Sequence, residues 1–368
     1  MIIRKILNTG LAVVIPVLFA NAGNDTKRGQ AGAVELLINP WARSAGLAGA
    51  NSGVVRGLES MGLNVAGLSS VRNIEFNFCN AMYLMGSQVN INSAAFGTKV
   101  GDGVMGLTFS AFSLGDFYET TIENPDGTGI VFSPQIFNFG AAYAKNFSKR
   151  ISAGLLVRGA SQSAYSVSVF GVAFDAGIQY QTGKRKEFKF GVSILNLGPK
   201  INFGGEGLTN RGTVQRTGYS QTVGLLPAAF EQPSMLNIGV GYDFYMLGAE
   251  QMRLKLTPCF NFRSNSFTSD QYMVGLQAGW DDRFMVRAGY DYQEGVFTKA
   301  EATNANLGPS FGFSAQIPWS RNKSGEMVTT NDDLFDGANK SKVFGVDYSY
   351  TTTRYFGGTH RLGLVFTL

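Results

Sequence analysis

The sequence predicts an all-β protein, a transmembrane antiparallel β-barrel of about 14 strands with an N-terminal segment shaped as a plug or hatch. Three observations carry this expectation. The first is composition. Only 15% of the residues are charged, against roughly 25% in soluble domains. Gly contributes 47 of 368 residues, Phe 29 and Tyr 14, and the mean hydropathy is close to zero, as expected where apolar and polar faces average out. The second is alternation with a period of two residues, the signature of a strand with unlike faces. The third is the clustering of aromatic residues at strand ends, where the two water–membrane boundaries lie.

Taken in order, the chain opens on a secretory signal at 1–22. Arg4 and Lys5 form its basic start, Leu11 to Ala20 its apolar run, and Ala20-Asn21-Ala22 a small-x-small cleavage site. The apolar run is too short for a helical span. Residues 23–71 form an N-terminal periplasmic or plug segment. It is rich in Gly and Ala and too apolar for a solvated tail, as in Leu36-Leu37-Ile38-Asn39-Pro40-Trp41 and Ala45-Gly46-Leu47-Ala48-Gly49-Ala50.

The barrel occupies 72–368. Alternation is clearest where Phe188, Phe190, Val192 and Ile194 oppose Lys189, Gly191 and Ser193. Leu254, Leu256, Phe260 and Phe262 likewise oppose Arg253, Lys255, Thr257, Asn261 and Arg263. A soluble sandwich also alternates. Near-ten-residue strands and aromatic ends (Tyr143, Tyr180, Tyr242, Tyr290, Tyr292) favour the barrel. Strands are expected near 72–84, 87–99, 103–115, 134–146, 150–163, 168–181, 186–197, 219–226, 234–246, 251–262, 271–280 and 283–293. Segments 308–317 and 343–350 compete for one further place, and 361–368 closes the ring. Lipid offers backbone N–H and C=O groups no partner, so the last strand must pair with the first. Turns such as Gly101-Asp102-Gly103 and Phe147-Ser148-Lys149 are short, and links at 116–133, 198–218, 294–307 and 318–342 are long. Long links are expected on the outer side.

No residue constellation points to catalysis, a cofactor or a metal. Gly101-Asp102-Gly103-Val104-Met105-Gly106 has dinucleotide-fingerprint spacing but lies between strands, where an Asp-Gly turn explains it. His360 is the one histidine. With no nucleophile elbow in the sequence, it reads as structural: His360 and Arg361 start the closing strand and are expected to pair with carboxylates such as Asp347. The acids around Asn331-Asp332-Asp333 miss the calcium-loop spacing. Glu119, Glu123 and Asp126 sit on a turn sequence. Cys79 and Cys259 are expected to be lone thiols on strands, a single disulfide being the other possibility. The net charge is +5, but Lys and Arg are scattered, so no nucleic-acid partner is expected.

Four stretches resemble the PorV/PorQ family of outer-membrane proteins in type IX secretion, related in fold to FadL-type barrels. They are Asn39 to Ala50, Leu63-Asn64-Val65-Ala66-Gly67-Leu68, Leu195 to Lys200 followed by Leu226-Pro227, and Val346-Asp347-Tyr348-Ser349-Tyr350 with Gly358-Thr359-His360-Arg361-Leu362. Val65 stands where the family usually has Pro. The resemblance implies a non-enzymatic barrel of the Gram-negative outer membrane, acting as an accessory or cargo-handling part of type IX protein secretion. Its partners would be outer-membrane lipid, a large translocon barrel and secreted cargo proteins. The alternative it leaves open is a FadL-like transporter of hydrophobic solutes, with 31–71 as the hatch.

Overall fold

The computed structural model describes residues 23–213, 220–247, 253–281, 283–297, 305–318 and 342–368; the expected signal peptide and the acids near Asn331 lie outside them. Fourteen strands form the wall. They are β1 (Ile74–Tyr83), β2 (Val89–Val100), β3 (Gly103–Ser113), β4 (Gln135–Asn146), β5 (Ile151–Ala164), β6 (Val167–Thr182) and β7 (Phe188–Leu197). The second half is β8 (Met235–Tyr242), β9 (Arg253–Asn265), β10 (Gln271–Trp280), β11 (Phe284–Gln293), β12 (Asn306–Pro318), β13 (Val343–Thr353) and β14 (Thr359–Thr367). After Asp243, Phe244–Leu247 continues β8 along the same neighbour, β9. Pro258 and Thr257 of β9 fall opposite this break, and proline brings no N–H to the ladder there. Every strand is antiparallel to its sequence neighbours. β14 returns to β1 in register from Glu75↔Thr367 to Met82↔His360, so the sheet has no free edge.

The alternation is inverted relative to a soluble sheet. In β1, Phe76 and Phe78 are each 44% exposed, while Glu75, Asn77 and Cys79 between them are buried. The same holds for Leu107 and Phe109, Leu155 and Val157, Phe170 and Phe174, Val274 and Leu276, and Phe311 and Phe313, all outward and exposed. Inward positions carry Ser93, Asn138, Asp175, Gln179, Asn237, Asn261, Arg287 and Ser314, all buried. So long an apolar surface facing water would be untenable for a soluble monomer; facing lipid, it is the expected outer face. Aromatic rings chain across neighbouring strands, as in Phe262–Tyr272–Tyr292–Phe297 at one end and Phe344–Phe366 at the other.

Three sequence expectations change. Segment 219–226 is not a wall strand: Ser220–Gly224 pairs with Thr209–Thr213 in a separate hairpin. Segments 308–317 and 343–350 do not compete, since β12 and β13 both stand in the wall and pair with each other. The expected count survives because these two misreadings cancel. The third correction concerns sidedness. Strand parity places 114–134, 198–234 and 294–305 at one end of the barrel. It places the turns at 101–102, 147–150 and 183–187 at the other end, together with the C-terminal Leu368, whose N–H donates to Ile74 O. β12 ends and β13 begins at this short-turn end, opposite the other long links; the expected link between them lies outside the described residues.

Candidate functional site

A ring this wide poses a packing problem. About eight strands leave an interior that side chains can fill, and 16 to 18 leave an aqueous channel. In this chain residues 42–70 supply the missing contacts. Small residues and one short helix, Ala42–Gly46, let the backbone turn tightly, and 3-10 turns at Leu58–Gly62 and Val65–Ser70 complete it. Asn64 caps the last turn by accepting from Ala66 N–H at 3.2 Å.

From Ala42 to Gly53 the segment follows the wall backwards. Ala42 faces Gly363 of β14, Arg43 pairs with Asp347 of β13 at 2.8 Å, and Gly46 lies on Gly312 of β12. Leu47 covers Gly289 of β11 and Gly275 of β10, Ser52 donates to Asn261 Oδ1 of β9 at 2.6 Å, and Gly53 lies on Gly239 of β8. From Leu58 to Ser69 it meets the remaining strands. Leu58 N–H donates to Glu75 of β1 at 3.2 Å and its side chain covers Gly97 of β2. Met61 and Leu68 cover Gly106 of β3, and Ser69 bonds Asn146 of β4 at 3.0 Å. Arg158 of β5 donates to Met61 O at 2.5 Å, Asn64 donates to Ile178 O of β6 at 3.2 Å, and Ser193 of β7 donates to Leu63 O at 2.7 Å. All fourteen strands are touched. The inward glycines are what admit so close an approach. A Cβ on Gly289 would lie 2.6 Å from Leu47 O, and one on Gly239 would lie 2.6 Å from Gly53 N; a substituent there must displace backbone.

Electrostatics at this contact are closed rather than open. Arg43 reaches Asp347 and, at 3.7 Å, Glu59. Asp347 also accepts from Ser314, which accepts from Arg287, itself bonded to Gln277 at 2.8 Å. Arg158 pairs with Asp175 at 2.6 Å, and Lys189 with Asp243 at 2.5 Å. Three buried cations, Arg43, Arg158 and Lys189, are thus each matched to a carboxylate inside the ring. Such matched pairs are expensive to break singly.

Residues singled out in the sequence are not gathered here. His360 faces outward, Nδ1 to Tyr348 Oη at 2.7 Å, whereas Asp347 faces inward; period-two alternation separates them, and Arg43, not His360, is the partner of Asp347. Asp102 sits in its turn, with Gly101 at φ 58°, and bonds Lys145. Glu119 bonds Thr128 at 2.6 Å in the loop of 114–134. Cys79 and Cys259 are free and buried on β1 and β9. Sequence reading missed Arg43, Glu59 and the inward glycines as a set; the one signal was the small-residue stretch at 45–50.

The face of the long links is different in character. Tyr118 is 71% exposed and Ile122 and Leu226 are fully exposed, with Phe117, Ile130, Val131 and Tyr165 also uncovered. Phe117 stacks on Phe132, which meets Tyr165, so the exposed rings form one patch.

A closed barrel with an apolar belt and aromatic girdles is an outer-membrane protein. The family model described as type IX secretion system membrane protein PorP/SprF matches residues 65–366. The chain belongs to that family, and its place is the Gram-negative outer membrane. The family is one of secretion-system membrane proteins, not of enzymes; the match names PorP/SprF and not PorV/PorQ, the family that the sequence segments resemble. Among solved structures, the monoaromatic hydrocarbon channel CymD is similar with a TM-score of 0.48 and 11% identity, covering 90% of this chain and 97% of its own. The Pseudomonas putida toluene transporter TodX gives 0.48 and 11% over 89% and 97%. A Pseudomonas aeruginosa FadL homologue gives 0.43 and 11% over 88% and 96%. No curated protein matches the sequence.

Proposed function

We propose that this chain is a non-enzymatic, plugged accessory barrel of type IX protein secretion. It binds the large translocon barrel or the signal domains of secreted cargo through the face of the long links. The observation that carries the reading is the contact of residues 42–70 with every strand of the wall. A segment tied to every strand occupies the lumen side of the wall, and the reading assigns the work to the outer surfaces. The belt takes lipid, and Tyr118, Ile122 and Leu226, exposed on the long links, offer apolar anchors of the kind that dominate protein interfaces. Family membership supplies the secretion context, and the PorV-like segments supply the cargo-handling role.

Deleting the gene and measuring surface display of type IX cargo tests the role. Cargo is expected to accumulate inside the cell envelope, and a Tyr118→Ala/Ile122→Ala/Leu226→Ala variant is expected to insert normally yet fail to restore display. A mild-detergent pull-down is expected to recover a very large barrel or cargo with the wild type. Undiminished display in the deletion strain, in the absence of a second copy of the gene, would overturn the role.

A further inference from the structure

The leading segment starts at the opposite end of the barrel from where it feeds β1. Residues 24–35 are bonded at the long-link end, to the 198–234 link, the 266–270 turn and the ends of β9 and β5. Asn24 N–H donates to Asn265 O at 3.4 Å at the top of β9. Arg28 donates to Ser269 at 2.9 Å, and Lys27 pairs with Glu231 at 3.0 Å, a carboxylate that Lys200 meets at 3.3 Å from the other side. Ala31 forms a parallel bridge to Glu231, and Gly32 N–H donates to Glu231 O at 2.9 Å. Glu35 accepts from Gln162 near the same end of β5 at 2.6 Å. Halfway along, Pro40 O accepts from the Cys79 thiol in mid-β1. At the far end Ser69 bonds Asn146 beside the 147–150 turn, and Asn73 O accepts from Lys99 next to the 101–102 turn.

We infer that residues 23–73 run through the closed ring from the long-link face to the short-turn face, and that residues 23–32 are displayed on the outer side of the membrane. The beginning and the end of the described chain therefore lie on opposite faces. The strap at 23–32 is then part of the surface that any outer partner meets. This inference is independent of the secretion role, since it rests on where the strap is bonded.

The test is labelling of intact cells with a membrane-impermeant maleimide. Cys79 and Cys259 are 1% and 6% exposed and stay silent in the folded protein. Three variants, each with one added cysteine, are compared: Thr26→Cys in the strap, Ile122→Cys on a long link and Asp102→Cys on a short turn. Each is scored on the heat-modifiable, folded band. Thr26→Cys is expected to label together with Ile122→Cys, and Asp102→Cys to lose its label until the outer membrane is permeabilised. Labelling of Thr26→Cys only together with Asp102→Cys overturns the inference, whichever face proves to be outside. A second readout does not depend on access. The bridged pair Ala31→Cys/Glu231→Cys is expected to form a disulfide on mild oxidation, and a pair that stays reduced in the folded band counts against the strap.

Discussion

At the scale of single residues, Arg43 is the position on which the inner contact turns. It is the cation shared by Asp347 of the wall and Glu59 of the leading segment. Both carboxylates are buried, so removing the guanidinium strands charge in a low-dielectric interior, at a cost of about 3–5 kcal/mol. Arg43→Ala is expected to lower the denaturation midpoint of the vesicle-inserted barrel accordingly. The double variant Arg43→Met/Asp347→Leu is expected to lose less than Arg43→Ala alone, because no unpaired ion remains. A single-variant loss within about 0.5 kcal/mol, the range of ordinary surface substitutions, would show that the pair is not closed. The sequence displayed Arg43 within an Ala-Arg stretch but could not name Asp347, 304 positions away. Ion pairs across a ring depend on register, and register is fixed only when the ring closes. The same limit misassigned His360, one alternation step removed from the inner face.

At the scale of elements, alternation made most of the wall legible. β4, expected at 134–146, is Gln135–Asn146, and β10, expected at 271–280, is Gln271–Trp280. The misread segment at 219–226 carried an apolar run, Val223 to Leu226, that is exposed on a hairpin rather than set in the wall. Period and hydropathy do not distinguish the two, because both the belt and this hairpin present apolar residues outward. The strap was not legible at all, since its ties to the loops are single ionic and backbone bonds. Its ionic tie fixes a pH dependence. Lys27 and Lys200 bonded to Glu231 hold that carboxyl below its ordinary range. A depressed folded value means the tie contributes above the unfolded pKa and is lost as pH falls through the folded one. Both partners are solvent-facing, so the effect is small and screened by salt. Amide exchange across 24–32 is expected to quicken by about two- to three-fold when the pH is taken below that range, corrected for intrinsic rates. Glu231→Gln is expected to show the quicker exchange already at neutral pH. Equal, pH-independent protection in both proteins would mean that the ion pairs do not hold the strap.

At the scale of the whole molecule, three features belong together. Outward residues are apolar because the solvent outside is lipid, inward ones are polar because their neighbours are the wall and the leading segment, and glycines mark where backbones meet. The high glycine content, read from sequence as a general mark of barrels, has a particular cause in positions such as Gly239 and Gly289. A hydrophobic-solute conduit would want a continuous apolar path, whereas Asn138, Gln179, Asn237, Asn261 and Arg287 line the interior. The central claim is that the ring is filled and works by its surfaces. Single-channel recording in a planar lipid bilayer tests it most directly. The wild-type barrel is expected to insert without steady conductance, and a variant with 42–70 replaced by a short Gly-Ser linker is expected to conduct if it inserts. Steady ionic current through the wild type, unchanged in the linker variant, would contradict the claim.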